Sequence, residues 1–235
     1  MRLLTHIDLA LASCQASAYT PGHQFAVARF MRELLPAWAG RFDAEPVIVP
    51  AAEGVRVALL SRSTMWRCEI SGPRIDLYWV RPEAAAPEIA MADFFAAAGP
   101  FLAEFCGFAG ARVGRLAAIT RRVGQHESPS LFLARHFGRV ELQDSLLDAA
   151  QSFELHVHKR VPLGGRFIAN TRLRSAAGIA VGIAVPTLLE VEQDFNTLAD
   201  EAASRSFKPA EMAEFFTQAA IEMQRGLEQA YPRPR

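Results

Sequence analysis

The sequence predicts an α+β fold: an antiparallel sheet with helices on one face, built as two pseudo-repeated halves that each run strand, helix, strands, helix. Three observations carry this. Between positions 46 and 80 apolar and polar residues alternate, as in Ile75, Leu77 and Trp79 against Arg74 and Asp76, which is the pattern of an antiparallel sheet with one solvated face. Two long segments instead space their apolar residues helically: Met91, Phe94, Phe95, Ala98, Leu102 and Phe105, then Met212, Phe215, Phe216, Ala219, Met223 and Leu227. The same order of elements recurs on either side of Gly110, without sequence identity between the halves.

In chain order, Leu3 to Ser13 reads as a strand, because no Gly, Pro or Asn interrupts it. Thr20-Pro21 caps a helix with Val27, Phe30, Met31, Leu34, Leu35 and Trp38 on one face, and Pro36 closes or kinks its last turn. Strands follow at Pro46–Ala51, Gly54–Ser61, Met65–Ser71 and Arg74–Val80, the last two joined by a Gly72-Pro73 turn. A helix from about Pro87 is expected to break or kink at Gly99-Pro100. After Gly110 come a strand over Arg112–Val123, a short helix opened by Ser128-Pro129 and ended at Gly138, and a second helical piece over Gln143–Ala150. Strands at Phe153–Val161, Arg166–Arg174 and Ile179–Glu192 precede the long helix opened by Pro209. No Pro/Gly/Ser-rich linker lies near Gly110, so residues 1–235 are read as one compact unit, with halves at 1–110 and 111–235.

A chain of 235 residues, 51% hydrophobic and 21% charged, is globular in composition and needs no disulfide or zinc to stay folded. The formal net charge is zero, so the molecule as a whole does not attract nucleic acid or anionic membrane. The charge is unevenly spread: residues 111–175 hold 11 Arg or Lys against 5 Asp or Glu, whereas residues 176–235 hold 5 against 9. Cys14, Cys68 and Cys106 are widely spaced with no CxxC pair, which excludes a cysteine-built zinc site. The N-terminal MRLLTHIDLALASCQA has the outline of a signal peptide, but His6 and Asp8 interrupt its apolar run. No apolar stretch reaches the roughly 18 residues of a membrane span. These features describe a protein of the reducing cytoplasm with no membrane partner.

The segment Phe153–Arg174, FELHVHKRVPLGGRFIANTRLR, concentrates the candidate chemistry. His156 and His158 stand at i and i+2 of a strand, about 6.6 Å apart along one face, a spacing from which two imidazoles can share a metal. His6 and Asp8 repeat that spacing and complete a four-ligand set if the first strand lies beside this one. Alternatively, His156, His158, Arg160, Arg166, Asn170 and Arg172 form an anion-binding face, since guanidinium recognises phosphate and carboxylate by paired hydrogen bonds. A plain solvated hairpin face ranks ahead of both. Gly164-Gly165 supplies the positive φ that the hairpin turn demands. Phosphate loops and the GxSxG elbow are missing, Cys68 and Cys106 alternate with core residues, and Glu190, Glu192 and Asp194 read as an exposed strand end. No catalytic residue is assigned, and no cofactor beyond the metal alternative.

The closing stretch, LLEVEQDFNTLADEAASRSFKPAEMAEFFTQAAIEMQRGLEQAY, together with Arg74-Ile-Asp-Leu-Tyr-Trp79, resembles an uncharacterised family of sporadically distributed bacterial proteins of similar length. The resemblance implies no activity, cofactor or site residue. The first-ranked reading is therefore a non-catalytic bacterial interaction or scaffold protein, self-associating through its sheet edges or its last helix. An enzyme or ligand-binding protein using the His156/His158 hairpin ranks second, and nucleic-acid binding by residues 111–175 third.

Overall fold

Alternation resolves into a sheet only when strands find neighbours, and here nine strands do so in a single antiparallel array. The computed structural model describes residues 4–23, 25, 32–33, 43, 47–51, 54–82, 86–138, 152–178 and 187–233. Its strands are β1 (Ala10–Tyr19), β2 (Val47–Ala51), β3 (Gly54–Leu60), β4 (Trp66–Ser71), β5 (Arg74–Val80), β6 (Arg115–Gln125), β7 (Glu154–Leu163), β8 (Phe167–Gly178) and β9 (Leu188–Thr197). They lie in the order β2-β3-β4-β5-β1-β6-β9-β8-β7, every pair antiparallel. The pairing of β1 with β6, Ser17 opposite Ala117 and Tyr19 opposite Arg115, carries the sheet through both halves of the sequence.

Three helices, α1 (Met91–Ala109), α2 (Pro129–Gly138) and α3 (Pro209–Ala230), supply the cover. The apolar stripes of α1 and α3 bury Phe94, Phe95, Leu102 and Phe105 with Phe215, Phe216 and Met223 in one core that reaches Cys14, Leu77, Leu116 and Phe195 of the sheet. A smaller cluster of Leu4, Leu9, Phe132, Leu133, Leu189, Val191, Leu227 and Tyr231 seats α2 beside the end of α3. His136 stacks on Tyr231 with ring centres 5.3 Å apart, and the Tyr231 hydroxyl donates to Ser175 Oγ at 2.8 Å. Pro209 at the first position of α3 and Glu211, whose carboxylate accepts from the Lys208 N–H at 2.8 Å, set where that helix begins.

Two local expectations are corrected. Leu3 to Ser13 is not one strand: His6–Asp8 forms a 3₁₀ turn and the strand begins at Ala10. The Asp8 carboxylate accepts both the Thr5 N–H and its hydroxyl at 2.9 Å, and that short-range pair stabilises the turn against extension. Of the break or kink expected at Gly99-Pro100, the break does not occur: the helix is continuous there, with Ala98, Gly99, Phe101 and Leu102 all buried, and the packing on α3 offsets the hydrogen bond that Pro100 cannot make. The expected helices over Val27–Trp38 and Gln143–Ala150, and the strand residues from Ile179 onward before Thr187, lie outside the described residues. The last strand runs later than expected, to Thr197. The helix α1 is long and apolar enough to cross a membrane by length and composition, but over half of it is buried inside the fold.

Gly99 marks the crossing of α1 and α3: a Cβ there would stand 2.9 Å from the Ala213 Cα. Gly107, in the same helix, has open space where its Cβ would be. Gly99→Ala is therefore expected to lose about 1–3 kcal/mol by forcing the helices apart, while Gly107→Ala gains about 0.5–1 kcal/mol from helix propensity. Urea unfolding of the two variants checks both, and equal effects would refute the close crossing.

Candidate functional site

All three helices lie on the same side of the sheet, the side of Leu189, Val191, Gln193 and Phe195 on β9. Residues in register share a face, so the opposite side carries Glu154, His156, His158 and Arg160 of β7, Asn170, Arg172 and Arg174 of β8, and Glu190, Glu192, Asp194 and Asn196 of β9. It continues over Arg115 and Arg121 of β6, Gln15, Ser17 and Tyr19 of β1, Arg74, Asp76 and Tyr78 of β5, and Arg67 and Glu69 of β4. Among the described elements none covers this face.

Here the uneven charge of the sequence cancels in space. Arg121 pairs with Glu190, Arg172 with Glu192, and Arg174 with Glu154, all across neighbouring strands. Arg115 donates to Asn196 Oδ1 at 3.1 Å. The basic segment 111–175 and the acidic segment 176–235 thus meet where β6, β9 and β8 run side by side. Farther along the sheet Arg74 and Arg115 flank the Tyr19 ring, 5.0 and 4.9 Å from its centre. Asp76, only 4% exposed, accepts from Arg74 Nε at 2.8 Å and from Gln15 at 3.1 Å, and Ser17 also donates to it. Glu69, 7% exposed, sits between Arg56 and Arg67. Burial pushes the Tyr78 hydroxyl up to about 12, helped by Asp76, so it remains a neutral donor.

The hairpin residues occupy this face as expected, but most are engaged with one another. His156 Nε2 lies 3.0 Å from Glu154, whose carboxyl the Arg174 hydrogen bond holds below its usual range. Arg160 Nε donates to Asn170 Oδ1 at 3.1 Å, and His158 stands opposite Arg172. Arg166 leaves the face altogether: it sits in the turn and binds Glu214 at 2.7 Å and Glu211 at 3.4 Å on α3. Gly164 and Gly165 have φ of 59° and 73°, the left-handed turn anticipated for them. His6 and Asp8 do not join His156 and His158, since they lie in the 3₁₀ turn before β1 and not on a strand beside β7. His6 instead donates to the Tyr231 carbonyl at 3.1 Å, in one tautomer. Among the described residues no group of three or more His, Cys, Asp or Glu side chains is placed to hold a metal ion.

Nucleophilic chemistry finds little support in the three thiols. Cys14, Cys68 and Cys106 are buried, and burial pushes all three up, Cys14 and Cys106 to about 12. A thiol so held stays protonated and inert.

The feature that sequence reasoning missed lies on the helix side. Leu116, Ala118 and Thr120 of β6 point inward, and the same alternation places Arg122 among them. Its Nη1 donates to the Leu9 carbonyl at 3.2 Å, whereas its buried Nε has no partner among the described residues. Arg122 opens onto a cleft of about 820 Å³ between the start of α1 and the second half of α3. The phase of Leu116, Ala118 and Thr120 was the signal that could have found it. Compared with protein-family models, with curated proteins and with solved structures, the chain matches none.

Asp194 yields a pH prediction. Burial raises its carboxyl more than Arg172 and the Asn196 amide lower it. A carboxyl raised in the folded state favours folding while protonated, so its contribution is present in acid and is lost as pH rises through the folded-state value. Asp194→Asn should therefore raise the melting temperature at neutral pH and lose that advantage in mild acid. Thermal scans across pH test this, and a variant less stable than wild type at neutral pH would contradict it.

Proposed function

We propose that the chain is a non-catalytic interaction protein that associates with a second copy of itself through the outer edge of β2. The difference between the two sheet edges carries this reading. β2 pairs only with β3 among the described residues, its sequence Val47-Ile-Val-Pro-Ala51 has no charge, and Val47 and Ile48 are 45% and 50% exposed. The far edge, β7, carries Glu154, His156, His158, Lys159 and Arg160 with Pro162. Charged side chains and proline are the usual protection of a sheet edge against strand addition, and only Pro50 offers it on β2. An apolar unpaired strand offers its N–H and C=O groups to a further strand. Two copies joined antiparallel at β2 form one continuous sheet with an isologous interface.

The same reading treats the two halves as pseudo-repeats about the β1–β6 pair. Its support is topological: β5, the last strand before α1, returns to β1, and β9, the last before α3, returns to β6. The nucleic-acid alternative draws less support, because the arginines of β6 and β8 already face carboxylates of β9 and β7. The hairpin alternative keeps His158 and the outer edges of His156 and Arg160.

Val47→Lys places a charge at the unprotected edge. Wild type is expected to form dimers whose fraction rises with concentration in native mass spectrometry, and the variant to be monomeric with an unchanged melting temperature. A wild type that is monomeric at every concentration, or a variant that dimerises as well as wild type, overturns the proposal.

A further inference from the structure

The cleft beside Arg122 has the physical make-up of a small-molecule site, independent of the β2 edge. Its walls are Ile89, Met91 and Ala96 on one side and Ala220 and Ile221 on the other, with Ile221 54% exposed at the rim. A volume of about 820 Å³ lies within the range of ligand pockets, which combine apolar walls with a few placed polar groups. Arg122 is the polar group at the base. Burial lowers its pKa, yet it remains a cation, as arginine does throughout proteins.

The surrounding charges define what can enter. Glu88 is the acid nearest Arg122, and it is already engaged: Oε1 accepts the Leu11 N–H at 3.0 Å and Oε2 lies 3.5 Å from Arg81. Arg225 is paired with Glu222 at 2.8 Å. Among the described residues Arg122 thus has one hydrogen-bond acceptor, the Leu9 carbonyl. The first turn of α1 borders the same cleft at Met91, Ala92 and Asp93, and Ala90 caps it without a side-chain hydrogen bond. Free N–H groups at a helix start favour negative charge. Asp93 and Glu228 at the lining disfavour a second negative group, and so select a monoanion over a di- or polyanion.

We propose that this cleft binds an amphipathic monocarboxylate, its head on the Arg122 guanidinium and the start of α1, its chain against Met91, Ala96, Ala220 and Ile221. The α3 residues of the lining run from Thr217 to Glu228, about 16 Å of helix at 1.5 Å per residue, so a chain of about ten carbons fits along it. A half-buried guanidinium at the lining gives the carboxylate its preference over a neutral head, because a hydrogen bond between charged groups is stronger than one to a hydroxyl.

Calorimetric titration of the full chain with sodium decanoate, and in parallel with 1-decanol, tests this. Decanoate is expected to bind wild type more tightly than decanol. Arg122→Gln should weaken decanoate about tenfold to a hundredfold and leave decanol unchanged. Ile221→Glu, at an exposed position that leaves the core intact, should weaken decanoate strongly and decanol less. No decanoate binding to wild type, equal binding of decanoate and decanol, or decanoate binding unaffected by Ile221→Glu would each overturn the proposal, even if Arg122→Gln failed to fold.

Discussion

Every described helix that covers this sheet covers the same face, and much of the described structure follows from that one-sided burial. The central strands β1, β6 and β9 each have a neighbour on both sides, so their backbone groups are satisfied in the plane of the sheet. Their side chains divide by parity, which β1 resets at its bulge between Leu11 and Ser13: one set enters the core with α1, α2 and α3, and the other holds its charges on a face that no described element covers. The pairing of β6 with β9 and β9 with β8 meets that demand by placing arginines of one segment opposite carboxylates of the other. Single ion pairs at a surface contribute little, about 0–1 kcal/mol each. Their joint effect is electrostatic neutrality over a face that would otherwise repel itself.

Neutrality on the open face shifts the functional weight elsewhere. Within the strongly basic segment Arg121, Arg172 and Arg174 are met by carboxylates of neighbouring strands, so its composition overstates its free positive charge. Two places remain where the fold leaves something incomplete: the edge of β2, with exposed Val47 and Ile48, and the cleft where Arg122 interrupts an apolar surface. They differ in place and in chemistry, one the backbone edge of an outermost strand and the other a half-buried cation on β6 in the middle of the sheet.

Much of the architecture was legible in the sequence because local periodicity and side-chain parity are the same information. Ile75, Leu77 and Trp79 are buried as their alternation required, and so are Phe94, Phe95, Phe215 and Phe216 from their helical spacing. What periodicity could not supply was the strand order, and this decided the fate of the histidine candidates. His6 with Asp8 and His156 with His158 share a spacing, but the first pair lies in the turn before β1 and the second on β7, with β6, β9 and β8 between those two strands. The His6–Asp8 turn escaped notice because a hydrogen bond between Thr5 and Asp8, not hydrophobic pattern, dictates it. At Gly99-Pro100 a break was outweighed by packing against Ala213, and the helix runs on. Arg122 was readable in principle, as the one arginine in phase with Leu116, Ala118 and Thr120, but an outward-pointing arginine is the commoner case.

The central claim, that β2 is the open edge and β7 the protected one, is met most directly by hydrogen exchange measured over a range of protein concentration. The account predicts that amide protection in peptides covering Val47–Ala51 rises with concentration while protection in Glu154–Leu163 stays constant. Protection in both edges that is independent of concentration, or a rise confined to β7, would contradict it.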